Sequence, residues 1–341
     1  MGWPSMATIK DVAQRAGVST ATVSRVLAGV SASPATRDRV MAAASELSFR
    51  PNAVARSLRS TGTRTVGLVV SDLLNPYFTE LARAVEDTAR EAGYAVIVGN
   101  ADENPSQQDH YVRILLERQV DGLVVVPTVE TSPLLREAAA TGHHLVLVDR
   151  SAEDVAAPLV SADGGPAIDD LVAHLAAHGR RRLAVIAGPE HAGSSRERLH
   201  AFRGAAARRG LEVPGVAVVH GDFRSRSGAE AMAQLLDGPR RPDAVLVSNG
   251  AMALGAVSVL QERAGELRVP DDLAVAVFDD MPFFQLLRPT LTAIEQPTAE
   301  VGRSAMKLLL AQIAGQPAQD VRLACRLVLR QSTEGSPADA H

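Results

Sequence analysis

The chain has 341 residues, 46% of them hydrophobic, so it can bury a large core and divide into more than one domain. No run of about 18 apolar residues occurs and the first residues lack a secretory signal, so we predict a cytoplasmic protein with no membrane partner. Residues 1–65 carry nine basic and three acidic side chains, whereas the remainder carries 26 and 36, a division typical of proteins in which one domain binds nucleic acid.

The first 27 residues contain the pattern of a helix-turn-helix that reads DNA. Thr8 and Asp11 have the spacing of a capping box at the start of a first helix, and Gly17 provides a residue at which that helix can end. Ser19 can cap a second helix. The apolar strip of this helix consists of Val23, Val26 and Leu27, and its opposite face consists of Thr20, Ala21, Ser24 and Arg25.

A third helix is predicted from Ser33 and Pro34 to Leu47, which is enough to close a small core. The alternative is a small helical bundle with no nucleic-acid partner, and the basic charge favours DNA. Residues 50–59 could form about two turns of helix, which are marginal in water and would fold only against a support such as DNA and a partner chain. An ordinary linker that happens to contain Leu58 is the alternative there.

From residue 65 the pattern changes to apolar strands that alternate with helices, which predicts an α/β fold. Two consecutive doubly wound lobes result, and a ligand is expected where the carboxyl ends of their strands face each other. The predicted strands are 65–70, 95–98, 122–126, 145–148, 183–186, 216–219, 244–247 and 273–278. The predicted helices include 77–92, 106–118, 132–141, 166–178 and 299–314, and a strand near 321–330 is expected to cross back between the lobes.

Patterns that would indicate an enzyme are weak. His174 and His178 have the spacing of two metal ligands, but Leu175 stands where a metallohydrolase has glutamate, so we predict no metal site. Phosphate-binding glycine loops and a nucleophile turn are missing, which predicts neither catalysis nor a cofactor. Cys325 is predicted to be a packed core residue, and the run 180–182 of three arginines a solvated turn. A sugar-binding transport protein would explain the lobes but requires an export signal.

The chain resembles the LacI/GalR family of bacterial transcriptional repressors over essentially its whole length, because a series of motifs occurs in the order found in that family. The matching stretches are Ile9-Lys10-Asp11-Val12-Ala13, Gly17-Val18-Ser19, Thr22-Val23-Ser24-Arg25-Val26-Leu27, Arg50-Pro51-Asn52 with Ala55 and Leu58, Asn75-Pro76-Tyr77-Phe78, Asp121-Gly122-Leu123, Val148-Asp149-Arg150, Met252-Ala253-Leu254-Gly255 and Phe278-Asp279-Asp280.

The resemblance implies a ligand-responsive regulator, a repressor by expectation, with lobes of the periplasmic-binding-protein type. Its parts would be a headpiece at 1–49, a hinge at 50–64, an effector-binding core at 65–331 and a polar tail at 332–341. Within the core, the N-lobe would comprise about 65–162 and 296–326, and the C-lobe about 163–293 and 327–331. A homodimer is expected by default, because heptads for a tetramer are not apparent in the short tail.

The resemblance also implies which residues contact the operator. Thr20, Ala21 and Arg25 would face base edges in the major groove, where the guanidinium of Arg25 suits guanine. Leu58 of the hinge would wedge into the minor groove. Phosphate contacts and the rest of the DNA-binding set are Thr8, Ser19, Thr22, Ser24, Asn52 and Ala55. Ala28 stands where the family usually has asparagine.

For the effector, the implied positions are Asp72, Phe78, Asp149, Arg198, Phe223, Asn249, Asp279 and Gln296. Carboxylates, amides and a guanidinium suit paired hydroxyls, and an aromatic ring can stack on a sugar face, so a sugar is expected. A purine is the alternative, because Tyr77 and Phe78 could stack on it. Gly250 and Val277 depart from the family pattern nearby. Whether the effector is an inducer or a corepressor stays open.

Overall fold

The computed structural model describes residues 7–27, 32–49, 62–128, 132–152, 154–211 and 213–335. The chain divides into two compact units, Met1–Thr63 and Arg64–His341. Ala28 and the predicted hinge residues Asn52, Ala55 and Leu58 lie outside the described residues.

The first unit contains the predicted helices α1 (Ile9–Ala16), α2 (Thr20–Leu27) and α3 (Pro34–Glu46). The capping box is confirmed, because Thr8 Oγ1 accepts from Asp11 N at 3.4 Å and Asp11 Oδ2 accepts from Thr8 N at 2.7 Å. Gly17 ends α1 with a φ of +66°, a left-handed conformation that costs glycine little. The three helices close on a core whose centre is Val12, Val23, Val26, Val40, Ala43 and Ala44.

The second unit begins with a parallel sheet that forms the N-lobe. Within the described residues its six strands lie in the order β11-β5-β4-β3-β1-β2. Their bounds are β1 (Thr65–Val70), β2 (Ala95–Asn100), β3 (Gly122–Val125), β4 (Leu145–Val148), β5 (Leu159–Asp163) and β11 (Val321–Ala324). The helices between them are α4 (Pro76–Glu91), α5 (Pro105–Glu117) and α6 (Pro133–Ala140), and α11 (Thr298–Ile313) packs on the same sheet.

The C-lobe contains a second sheet, whose described strands lie in the order β12-β10-β9-β8-β6-β7. All neighbours pair in parallel except β12, which runs antiparallel to β10. The strands are β6 (Leu183–Ala187), β7 (Val218–His220), β8 (Ala244–Val247), β9 (Ala274–Phe278), β10 (Thr292–Glu295) and β12 (Arg326–Val328). The helices are α7 (Gly165–Ala177), α8 (Gly193–Arg208), α9 (Ser225–Asp237) and α10 (Gly250–Glu262).

Two strands, β5 and β10, are absent from the sequence prediction, because each is short and carries polar residues. The strand predicted near 321–330 divides at Cys325 into β11 and β12, which belong to different sheets. The chain therefore passes between the lobes at this point, as well as after β5 and after β10. Cys325 is half-buried and packs against the C-lobe core.

The end of the described chain is more buried than its polarity predicts. Ser332 and Thr333, which sequence assigned to the tail, are fully buried. Ser332 Oγ donates to Val275 O at 2.6 Å and accepts from Thr292 N at 2.8 Å, so the cost of burying the hydroxyl is offset. The prediction of a solvated turn at 180–182 is wrong for Arg180. This side chain is fully buried and donates to three carbonyl oxygens, including that of Gly335.

Candidate effector cleft and DNA-reading helix

The eight residues predicted for the effector line one cleft between the two lobes of the core. Each follows the carboxyl end of a strand or, like Arg198 and Phe78, lies on a helix that faces the cleft. This is the edge of a parallel α/β sheet at which ligands bind, because the loops there are free to vary while the strands hold them in place. The cleft also contains Asn75, Tyr77, Glu103, Arg150 and Ser194.

Asp279 lies at the C-lobe side of the cleft and is fixed from two directions. Its carboxylate accepts from Gln296 Nε2 at 2.6 Å and from Gly250 N at 3.0 Å. Burial raises the pKa of Asp279, whereas Arg198 and the two hydrogen bonds act in the opposite direction. Asn249 caps α10 by accepting from Met252 N at 2.9 Å. The first residues of α10 thereby hold both the Asp279 carboxylate and the Asn249 amide at the wall of the cleft.

Arg198 brings positive charge to the same space. Its Nη1 donates to Ser248 O at 2.6 Å, and its Nη2 stands 4.0 Å from Asp149 Oδ1. The guanidinium lies over the ring of Phe278, with 3.7 Å between Cζ and the ring centroid. This stacking holds the side chain in place while leaving donors available to a ligand.

Arg150 belongs to the motif Val148-Asp149-Arg150 and also lines the cleft, a role that the sequence did not predict. Its side chain is 5% exposed and binds both Glu103 oxygens, at 2.7 and 2.9 Å, while its Nε donates to Asp149 Oδ2 at 3.2 Å. Across the cleft its guanidinium faces the ring of Phe223 at 4.9 Å. An arginine directly after a buried strand is the signal that could have identified it.

Backbone strain is concentrated around the cleft. Asp149, Phe223 and Asp279 have φ values of +68°, +68° and +78°, and Asp102 and Glu103 follow at +52° and +50°. Residues other than glycine rarely adopt this left-handed region of the backbone, because each residue there costs about 1–3 kcal/mol. Such strain is typical of functional sites, where the surrounding fold holds residues in the conformation that ligand binding needs.

Two buried polar atoms at the cleft have no hydrogen-bond partner among the described residues, Tyr77 Oη and Gln296 Oε1. Each residue is 7% exposed. An unpaired buried donor or acceptor costs about 1–3 kcal/mol, so a ligand that supplies an acceptor and a donor gains from both. The sequence predicted only a stacking role for Tyr77, whereas its buried hydroxyl lacks a hydrogen-bond partner among the described residues.

In the headpiece, the side chains predicted to read bases are accessible. Thr20, Ala21 and Arg25 are exposed on one face of α2. Ser19 caps the helix, since its Oγ accepts from Thr22 N at 3.2 Å. Thr8 and Ser19 are exposed, whereas Thr22 and Ser24 are half-buried.

The histidines His174 and His178 contact each other, and His174 also contacts Thr333, within the C-lobe. The centroids of the two rings are 4.2 Å apart and their planes are inclined at 44°, and His174 Nε2 lies 3.1 Å from both the carbonyl and the hydroxyl oxygen of Thr333. Among the described residues no group of three or more acidic, histidine or cysteine side chains could hold a metal ion. No helix in the same part of the chain is long and apolar enough to span a membrane.

Comparison with known proteins agrees with this architecture. Residues 8–52 match the model of bacterial regulatory proteins of the lacI family, and residues 172–333 match a periplasmic binding protein-like domain. The HTH-type transcriptional repressor CytR of Escherichia coli strain K12 is 37% identical over 334 residues, covering 97% of both chains. The ribose operon repressor of the same strain is 36% identical over 329 residues, covering 96% of this chain and 99% of the relative.

Among solved structures, the Lac repressor dimer bound to operator and the anti-inducer ONPF has a TM-score of 0.84 at 30% identity. The match covers 96% of this chain and 99% of that one. A helix-turn-helix headpiece joined to a two-lobed binding core defines a DNA-binding transcriptional regulator. The chain belongs to the lacI family of bacterial regulatory proteins.

Proposed function

We propose that this regulator represses transcription from a palindromic operator as a homodimer, and that a sugar in the effector cleft changes its affinity for DNA. The observation that carries the proposal is the convergence of the eight family positions on one cleft. They bring together three carboxylates, two amides, a guanidinium and two aromatic rings, a set that pairs with adjacent hydroxyls and stacks on an apolar sugar face.

The aromatic geometry favours a sugar over a purine. Tyr77 and Phe78 meet edge to face, with ring centroids 5.0 Å apart and planes inclined at 79°. A purine would be held best between parallel faces, and these two rings do not offer them to one ligand. The unpaired Tyr77 hydroxyl and Gln296 oxygen instead suit a ligand with several polar groups along its edge.

A dimer is supported by exposed apolar side chains on the core. β2 is an edge strand on which Ile97 and Val98 are exposed, and Leu74 nearby is 90% exposed. Exposed apolar groups at an open sheet edge are a liability that a partner subunit would cover. The Lac repressor in the matched structure is a dimer.

Control of DNA binding would follow from movement of the lobes. The cleft holds only about 20 Å³ of free space, close to the room for one water molecule, so a sugar enters only when the lobes separate or side chains move. Ligand and operator would then affect each other's affinity by the same factor, because coupling between two sites is reciprocal.

Calorimetry with a panel of pentoses, hexoses and purine bases, with and without operator, tests the effector assignment. We expect a sugar to bind and its affinity to change when operator is present. Binding of purines alone would overturn the sugar assignment, and a sugar affinity independent of operator would overturn the coupling.

Arg25→Ala tests the reading helix, and Arg39→Ala on α3 is a matched control that removes the same charge from an exposed position. We expect Arg25→Ala to lower operator affinity by about 1–3 kcal/mol and to reduce the preference over random DNA, because the base contact is lost. Arg39→Ala should leave that preference unchanged. Equal preference ratios for the two variants in gel-shift titrations would refute the role of Arg25.

A further inference from the structure

An ion pair joins the two lobes of the core at the rim of the effector cleft. Arg224 Nη2 donates to the carbonyl oxygen of Asp102 at 2.8 Å and to Asp102 Oδ1 at 3.2 Å. Asp102 follows β2 in the N-lobe, and Arg224 directly precedes α9 in the C-lobe. Their neighbours Glu103 and Phe223 line the cleft. The pair therefore connects the lobes beside the space that a ligand would enter.

The order of the strands places this pair opposite the points where the chain crosses between the lobes. In the N-lobe sheet, β5 and β11 lie at one edge and β2 at the other. In the C-lobe sheet, β10 and β12 lie at one edge, and β7, which ends at His220, lies at the other. The crossovers follow β5, β10 and β11. Lobes that pivot on these crossovers would separate most where β2 and β7 end.

Two other ion pairs join the lobes in the described part of the chain, and both lie near the crossovers. Arg322 Nη2 is 2.9 Å from Glu197 Oε2, and Arg198 Nη2 is 4.0 Å from Asp149 Oδ1. These four residues line a cavity beside Arg198 whose wall includes the crossover residues 163–165. Contacts close to a pivot change little when the lobes rotate, whereas a contact at the opposite edge is broken.

The backbone of each partner is fixed within its own lobe. Asp102 and Glu103 have φ values of +52° and +50°, and Glu103 N donates to Ser71 O at 2.8 Å. Arg224 N donates to Asp222 Oδ1 at 3.0 Å at the start of α9. Because both backbones are already in place, the pair forms without the entropic cost of ordering a loop.

The position of the pair at the surface makes it sensitive to salt. Both side chains are 48% exposed. Salt screens exposed charges strongly, because the Debye length falls from about 10 Å at 0.1 M to about 3 Å at 1 M ionic strength. The neighbouring contact between Arg150 and the Phe223 ring lies within the cleft, and Arg150 is 5% exposed. Salt would therefore weaken the outer contact between the lobes more than the inner one.

We propose that Asp102 and Arg224 form a latch that holds the mouth of the effector cleft closed and that opens more readily as the ionic strength rises. The cleft has about 20 Å³ of free space, so the latch must open before a ligand enters. The inference rests on the proposed role of the cleft, but it concerns the equilibrium between closed and open lobes and is tested without a ligand.

The test measures the distance between the lobes in the full-length protein by double electron–electron resonance. Spin labels are attached through Arg113→Cys on α5 and Gln234→Cys on α9, two exposed positions on the helices that follow the latch residues. Cys325→Ala removes the native thiol. An excess of unlabelled protein ensures that a dimer carries labels on one protomer, so the distance reports the two lobes of one chain.

Arg224→Gln removes the charge of the latch, and Arg226→Gln, which breaks the exposed pair with Glu230 within α9, is the matched control. At about 0.1 M KCl we expect Arg224→Gln to raise the ratio of long to short distances about two- to fivefold, the effect of losing an exposed ion pair. Arg226→Gln should retain the wild-type distribution. Asp102→Asn keeps the carbonyl contact and tolerates the left-handed backbone, so its effect should be intermediate.

Raising KCl to about 1 M should shift the wild type toward long distances and have little further effect on Arg224→Gln. The latch would be overturned if Arg224→Gln and the wild type gave the same distribution at low salt, or if salt shifted both equally. Neither result would affect the proposed sugar site, which calorimetry tests separately. If no sugar or purine bound while the distances changed as expected, the proposed effector would fail and the latch would stand.

Discussion

Glu103→Gln should destabilise the core far more than an ordinary loss of one surface charge. Glu103 holds the Arg150 guanidinium through two hydrogen bonds, and their side chains are 11% and 5% exposed. The substitution keeps the shape of the side chain and removes its charge. Arg150 then remains buried with Asp149 as its acidic partner, 3.2 Å from its Nε.

The magnitude follows from burial. Breaking a buried ion pair by removing one partner costs about 3–5 kcal/mol, because the remaining charge cannot regain its hydration. In the variant, Arg150 keeps its contact with Asp149 and one hydrogen bond to the new amide oxygen. We therefore expect the free energy of unfolding to fall by an amount near the lower limit, about 3 kcal/mol. For a unit of this size the midpoint of thermal unfolding should fall by about 6–10 °C.

Urea unfolding monitored by circular dichroism measures the loss, and a double-mutant cycle with Arg150→Met isolates the pair. We expect a coupling free energy of about 2 kcal/mol, because the double variant no longer buries an unpaired guanidinium. Glu230→Gln, which breaks the exposed pair with Arg226, is the control and should leave the unfolding midpoint within experimental error.

A loss of stability below about 1 kcal/mol for Glu103→Gln, or additive effects in the cycle, would contradict this prediction. Either result would mean that Arg150 reaches water or rearranges when its partner is neutralised. The bidentate contact would then describe the geometry of the cleft without contributing to its stability.

Three further predictions concern other parts of the core. Gly255→Ala should cost about 3 kcal/mol or more in urea unfolding, because its Cβ would lie 1.7 Å from the Ser225 carbonyl oxygen, whereas Gly265→Ala, with open space around it, should be neutral. Tyr77→Phe should leave stability unchanged or raise it by up to about 1 kcal/mol and weaken sugar binding in calorimetry; a clear loss of stability would show that the hydroxyl is already paired. Burial, followed by the charge of His178, lowers the pKa of His174, so the folded state binds this proton more weakly than the unfolded state does. Stability present above pH of about 6.5 is therefore lost as pH falls through the folded pKa, and thermal unfolding between pH 7.5 and 5 should show a larger drop for the wild type than for His174→Gln.

Local signals predicted the headpiece well. The capping box at Thr8, the left-handed Gly17 and the cap at Ser19 depend on residues within four positions of each other, so their energetics are readable from the chain. The same holds for wholly or almost wholly apolar strands such as β1 and β4, whose residues are buried on both faces with the exception of the half-buried Thr65.

The effector positions were found for a different reason. Their spacing in the chain contains no sign that Asp72 and Gln296 line the same cleft, and the family resemblance supplied the set. The effector residues that follow strands come together only through the order of the strands in each sheet, because that order decides which strand ends lie side by side. The short strands β5 and β10 went unrecognised because four or five residues with polar side chains do not produce a periodic signal, and pairing with neighbouring strands makes them strands.

The sequence by itself determined the three-helix headpiece and the alternation of strands and helices, because these depend on local propensity and composition. The tertiary structure alone decided that Arg150 is shared between Glu103, Asp149 and the Phe223 ring, that Ser332 is buried, and that a cavity lies beside Arg198. Each of these depends on groups that are far apart in the chain and acquire their partners, burial and electrostatic environment only when the two lobes fold together.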